Sequence, residues 1–302
     1  IAANAVQLID TIAPTAPVVV LDAASDTGAS NADGVTSDTT PTLNITAEAG
    51  STVEVFRNGV TQGFAVEGLP GQFTFTSVAL MDASHSFTAT ATDLSLNVSA
   101  VSTPAVVVVD TTLPVVTINT VTPDNRINAA EDNTVVISGT ATVENGQQVS
   151  VTINGGPAIL ATVTGGVWTL AAQDVSAQPN GPLNITAGVT ALAGNVAVQS
   201  LAAPPLDNVA PTIAIDPVLA GNNIVNAAED NAFTISGTTT GVEDGQMVTL
   251  SINGGTAFTA TVNANVWTTV QDVSLLANGP LVITANVSDL AGNPAAQAAK
   301  AV

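Results

Sequence analysis

Short segments in which apolar and polar residues alternate recur along the whole chain, broken by clusters of Gly, Asn, Asp and Pro. Alternation with period two is the signature of a strand buried on one face, and the breaks carry turn chemistry. In the middle of the chain the pattern predicts strands at 115–121, 134–140, 148–154, 158–163, 167–171, 183–190 and 196–201. Turn signals such as "ENG", "NGG", "TGG", "PNG" and "AGN" separate them. Long helical periodicity is absent. Seven short strands in about a hundred residues predict an immunoglobulin-like sandwich, so the fold class is all-β. Trp168 and Trp267 stand at matching places in the pattern and are expected in the core.

The pattern also repeats on a longer scale. "INAAEDNTVVISGTATVENGQQVSVTINGG" at 127–156 returns as "VNAAEDNAFTISGTTTGVEDGQMVTLSINGG" at 225–255, an offset of about 98 residues (225 − 127). "GGVWTLAAQDVSAQPNGPLNITAGVTALAGN" at 165–195 returns as "NANVWTTVQDVSLLANGPLVITANVSDLAGN" at 263–293. The first hundred residues form a divergent copy, in which "TPTLNITAEAGSTVEVFRNG" and "SFTATATDLSLNVSA" take the corresponding places. Each copy opens on Asp, three residues, Pro: "DTIAP", "DTTLP" and "DNVAP". Three tandem domains are therefore expected, at 1–109, 110–206 and 207–302. "VVVVDTTLPVV" at 106–116 then reads as the last strand of one sandwich, a linker at Asp110, and the first strand of the next.

Composition narrows the chemistry. Apolar residues make up 46 % of the chain, enough to fill real cores, while 24 Asp and Glu face only Arg57, Arg126 and Lys300, for a formal net charge of −21. Nucleic acid and anionic membranes are poor partners for such a surface, and cations are good ones. The chain has no Cys and a single histidine, His85, which removes disulfides, thiolate metal sites and Ser–His or Cys–His catalysis. No apolar run reaches the roughly 20 residues of a membrane helix, because Asp110 and Pro114 interrupt the best one. His85 lies near the start of a predicted strand and is expected to be structural.

With "SGTATVENGQQVSVTINGG", "DLAGN" and "DGVTSDTTPTLNITAEAGSTVEVFRNG" in view, the chain resembles the bacterial Ig-like extender repeats of giant, type I-secreted, RTX-type surface adhesins. The resemblance covers nearly the whole chain. It implies an extracellular, cell-surface location, neighbouring repeats of the same chain as partners, calcium at the joints, and a role in adhesion or biofilm formation. The host surface would be contacted mainly by other regions, and the segment is expected to be a monomer.

Sandwich topology tests the calcium implication independently. In a seven-strand sandwich the first loop lies at the trailing end, where the chain leaves, and the second, fourth and sixth loops at the leading end. At the first joint Asp110 would sit between the acidic loop bearing Asp22, Asp26, Asp33 and Asp38 and the leading-end residues Glu144 and Asn195. At the second, Asp207 would sit between Asp124, Glu131 and Asp132 on one side and Glu243, Asp244, Asp289 and Asn293 on the other. Asp10, with Glu48, Asp93 and Asn97, would make a half-site at the head of the chain; Asp216, Glu229 and Asp230 would make one at its tail. Gathered carboxylates repel by about 1 kcal/mol per pair at 4 Å even in water, and Ca2+, which takes 6–8 oxygens, reverses the sign. Position 191 is Ala where the other copies have Asp93 and Asp289, so the first joint is expected to hold one ligand fewer. No EF-hand loop and no Gly-rich β-roll nonapeptide is present.

Other chemistries fit less well. A glycosidase needs two acids across a cleft and aromatic platforms, but aromatic residues are 3 % of the chain and Tyr is absent, so no enzyme is expected. The rival reading is a module that binds carbohydrate or protein through its end loops. Those loops are short and poor in Trp, Tyr and Arg.

Overall fold

A computed structural model describes residues 9–302. Its regular elements are strands, with one 3-10 turn at Asp230–Ala232 among the described residues. The alternation read from the sequence is realised directly: along Ala83–Thr92 the even-spaced residues Phe87, Ala89 and Ala91 are buried while their neighbours face outward.

Three separate hydrophobic cores result. The first lies between a sheet of Val18–Leu21, Thr42–Thr46, Gln72–Thr76 and Val66–Glu67 and a five-stranded sheet that includes Thr52–Arg57, Ala83–Thr92 and Ala105–Val109. The second gathers around Trp168 and includes Val149, Val151, Ile185 and Leu206. The third gathers around Trp267 and includes Phe233, Ile235, Val248 and Ile283. Both tryptophans are almost fully buried, as the sequence predicts. Each ring faces a glycine across the strand pair, Gly139 opposite Trp168 and Gly237 opposite Trp267. A Cβ on Gly139 would lie 1.8 Å from the Thr117 carbonyl oxygen, and one on Gly237 2.3 Å from Cζ2 of Trp267. The "SGT" common to both repeats is thus a seat for the indole.

The middle unit departs from expectation at two of its seven strands. Residues 115–121 form isolated bridges, Val115 with Val198 and Val116 with Ala141. Threonine hydroxyls intercept the ladder there: Val115 N–H donates to Thr142 Oγ1 at 2.8 Å and Thr140 N–H to Thr117 Oγ1 at 3.1 Å. The expected strand at 196–201 is displaced to Ser200–Ala202 and followed by a separate pair, Pro205–Leu206, on Gly181–Pro182. Pro204 and Pro205 bring no N–H to a ladder, so the strand breaks and restarts. The other five appear, shortened, at Ser138–Thr140, Gln148–Ile153, Ile159–Thr162, Val167–Thr169 and Ile185–Gly188. Ala105–Val109 is a strand that ends just before Asp110, as the first half of "VVVVDTTLPVV" predicts, while the strand expected after Pro114 is reduced to the bridges at Val115 and Val116.

Candidate functional site at the joints

The linker aspartates share one local structure. Asp10, Asp110 and Asp207 each accept, on Oδ1, the N–H two residues on, from Ile12, Thr112 and Val209 at 2.9–3.1 Å. This Asx turn sets the chain direction before the proline of each "Asp, three residues, Pro" motif.

A second element then holds the linker. Asn97, Asn195 and Asn293, each closing the last turn at the leading end of its unit, donate Nδ2–H to the backbone carbonyl of Asp10, Asp110 and Asp207 at 3.2, 2.8 and 2.8 Å. In two of the three, the same asparagine is fixed by an aspartate: Asp93 accepts from N–H and Nδ2–H of Asn97, and Asp289 does so from Asn293 at 2.8 and 2.9 Å. Ala191 supplies no such group to Asn195. The asymmetry read from position 191 is therefore an asymmetry in what orients the clamp.

The trailing loop of one unit rests on the leading turn of the next. At the first joint Thr27 Oγ1 donates to the Ala193 carbonyl at 2.6 Å, and Gly28 and Gly194 meet backbone to backbone. A Cβ on Gly28 would stand 2.2 Å from the Leu192 carbonyl oxygen, and both glycines have positive φ, so only glycine fits. At the second joint Asn128 Nδ2–H donates to the Ala291 carbonyl at 3.1 Å, and Ala129 N–H to Asn293 Oδ1 at 2.8 Å. These are the loops that the topology argument brought together.

Most of the acidic residues named from the sequence serve their own loops. Asp22, Asp33 and Asp38 accept N–H groups two residues on, and Asp22 also takes Asn44 Nδ2–H. Glu131 and Glu229 cap Asn128 and Asn226. Glu144 and Glu243 accept Leu192 and Leu290 N–H, stabilising the turn that carries the clamp. Asp132 accepts Asn208 and Asn133 amides, and Asp230 accepts Asn231. Among the described residues no group of three or more His, Asp or Glu lies close enough to hold a metal ion. Asp26 differs from the rest: it is 5 % exposed, its Oδ2 accepts Gly34 N–H at 3.0 Å, and its Oδ1 is buried with no partner. A buried carboxylate oxygen without a donor suits a cation.

Sequence reading passed over Asp82. Its carboxylate accepts Thr111 N–H and Thr111 Oγ1–H at 3.1 and 2.8 Å, tying the first linker back to the unit it leaves. The Thr111 hydroxyl, followed by the backbone bond, holds its pKa below the usual carboxylate value. Asp93 is likewise lowered, first by the Asn97 side chain. Nothing in local sequence marks Asp82, since its partner lies 29 residues away.

Residues 11–111, which contain the first core, Asp82 and the Asn97 clamp, match the profile of the bacterial Ig-like domain. The whole chain is similar to a structure from a 1.5-MDa bacterial ice-binding adhesin, at 25 % identity over 96 % of this chain and 97 % of that one, with a TM-score of 0.42. It is similar also to a Ca2+-stabilized adhesin that helps an Antarctic bacterium bind ice (26 % identity, 95 % and 74 % coverage, TM-score 0.41). A tetra-tandem repeat from the extending region of a large adhesion protein matches at 25 % identity, 96 % and 74 % coverage, and a TM-score of 0.35. No curated protein matches the chain.

Proposed function

We propose that the chain is an extender segment of a bacterial cell-surface adhesin, built of three tandem Ig-like domains bounded at Asp110 and Asp207, whose task is to resist bending. The observation that carries this is the bond from a leading-end asparagine to the carbonyl of the linker aspartate, repeated at all three linkers. A chain of independent modules needs no such clamp. With strands rising about 3.3 Å per residue, each domain would be roughly 30–40 Å long, and three would make a rod on the order of 100 Å. Adhesion itself, and biofilm formation, would be the work of other regions held out by this one.

Calcium belongs to the same reading. Asp26 and Asp110 at the first joint, and Asp207, Glu243 and Asp289 at the second, are the carboxylates that would hold it, joined by linker carbonyls. The ion would supply charge neutralisation between domains, which matters in a chain of net charge −21. The unpartnered Oδ1 of Asp26 supports this fit most directly. The test is titration of chelated protein with Ca2+ while melting temperature and solution scattering are followed. Both the melting temperature and the maximum dimension should rise, since a ligand of the native state stabilises it. If neither moves, calcium is not part of the joint; if a glycan or protein binds saturably instead, the extender reading gives way to a recognition module.

A further inference from the structure

The second joint is richer in acid than the first. The leading turns of the second unit carry Glu144, Asn145 and Ala191, and the same places in the third carry Glu243, Asp244 and Asp289, two further carboxylates beside Asp207. The trailing loop that precedes each joint differs in the compensating sense. Ile127 pairs in parallel with Leu206, as Thr36 does with Val109, so Arg126 takes the place that Val35 has in the first unit. In the third unit the repeat puts Ile224 there. Arg126 is one of only three basic residues in the chain, and it stands where the other copies are apolar, at the joint with the extra acid.

The backbone of Arg126 is fixed. Its N–H donates to Asp124 Oδ1 at 3.0 Å, its carbonyl accepts the Thr122 hydroxyl, and Ile127 beside it is fully buried. Arg126, Asp207 and Glu243 line one cleft of about 360 Å³, with Leu206 and Ala291. The cleft spans the joint, since Arg126 belongs to the second unit and Glu243 to the third. Among the described residues the half-buried Arg126 side chain has no hydrogen-bond acceptor of its own. Asp124, nearest in sequence, has its pKa lowered first by the Arg126 N–H and only last by the guanidinium charge. Asp207 Oδ1 is taken by Val209 N–H and Asn180 Nδ2–H, and the buried Asp289 by Asn293. Glu243 accepts Leu290 N–H on Oε2 at 2.7 Å, which leaves Oε1 for a second donor.

We propose that Arg126 is a positioning residue of the second joint: its guanidinium pairs with Glu243 Oε1 across the cleft and holds the third unit against the second. Opposite charges tethered to the walls of one cleft, partly shielded from water, attract more strongly than a pair on open surface. Arg126 closes the pair by side-chain rotation alone, from a backbone that does not move. Glu243 already braces the turn that carries the Asn293 clamp, so the pair ties the second unit to that clamp. The first joint, with Val35 and Glu144 in these places, has no such pair. The proposal rests on the reading of Asp207 as a joint that resists bending, and not on calcium, so its test is run in chelator.

The chain has only two arginines, so side-chain NMR of the labelled 302-residue chain reads the pair directly. The Arg126 Nε–H, identified by its loss in Arg126→Lys, should exchange with water about threefold more slowly in the native chain than in Glu243→Gln, the size expected of a weakly stabilising pair. Glutamine keeps a side-chain oxygen for Leu290, and Arg57 in the first unit should not change. Salt at about 0.5 M should abolish the difference by screening. Backbone relaxation should show the third unit tumbling more independently of the second in Arg126→Gln, with no further loosening when Glu243→Gln is added. Equal exchange of Arg126 in the native chain and Glu243→Gln overturns the proposal, and so does unchanged tumbling in Arg126→Gln, which would confine Glu243 to bracing its own turn. A protected Arg126 in a native chain whose two units tumble independently would uphold the pair and count against the extender reading instead.

Discussion

Asn293 donates its side-chain N–H to the backbone carbonyl of Asp207 at 2.8 Å, and through its Oδ1 it accepts the N–H of Ala129 at 2.8 Å. One amide thus joins the linker, the unit before it and the unit after it. Asn195 performs the linker half of this at the first joint, where contact with the preceding unit passes instead to Thr27 and Gly28.

Replacing Asn293 with Ala removes both bonds and takes the side-chain Nδ2–H donor from the buried Asp289 carboxylate, which keeps only the backbone N–H of residue 293. A net hydrogen bond contributes about 1 kcal/mol, and a buried group left unsatisfied costs about 1–3 kcal/mol. The third unit should lose stability in that range, and the second linker should become the new site of limited proteolysis. Cleavage confined to the first linker would contradict the role.

Gly28→Ala tests the first joint alone. The added methyl collides with the Leu192 carbonyl across the joint, and φ of +102° disfavours any side chain. Scattering should show a wider distribution of molecular dimensions, with the Trp168 environment unchanged in fluorescence. A large fall in melting temperature would instead make Gly28 a residue of its own loop.

Gly237→Ala places a methyl 2.1 Å from the Ala214 carbonyl oxygen as well as against Trp267. Overpacking costs about 1–3 kcal/mol. Chemical denaturation followed by Trp267 fluorescence, in a Trp168→Phe background, should show an earlier midpoint. Gly139→Ala should do the same to the middle unit and leave Trp267 unaffected.

Acid acts on the clamps through Asp93 and on the first linker through Asp82. Both carboxyls have folded pKa values lowered from 3.8 by hydrogen bonds, so their contribution is present above the unfolded value and is lost as pH falls through the folded one. The window lies below about pH 4. Acidification also relieves the repulsion of a chain of net charge −21, which works the other way. The decisive quantity is therefore the difference between the chain and Asp93→Asn or Asp82→Ala. That difference should shrink between pH 5 and pH 3 when unfolding is measured at each, and a difference independent of pH would count against the assignment.

The alternation of apolar and polar residues by itself determined the all-β class, the placing of five of the middle strands and the burial of both tryptophans, because strand burial follows a local period of two. The repeat, and the simple rule that loops alternate between the ends of a sandwich, also led to the expectation that certain loops meet, and Thr27 with Ala193 and Asn128 with Ala291 are in contact. The use made of their side chains was decided by tertiary structure. A carboxylate in a turn finds its nearest N–H two residues away, as at Asp22, Asp33 and Asp38, and counting acids cannot tell this from convergence on an ion. The Asn195 and Asn293 amides, the Gly28–Gly194 contact and Asp82's hold on Thr111 each join residues that only folding makes neighbours.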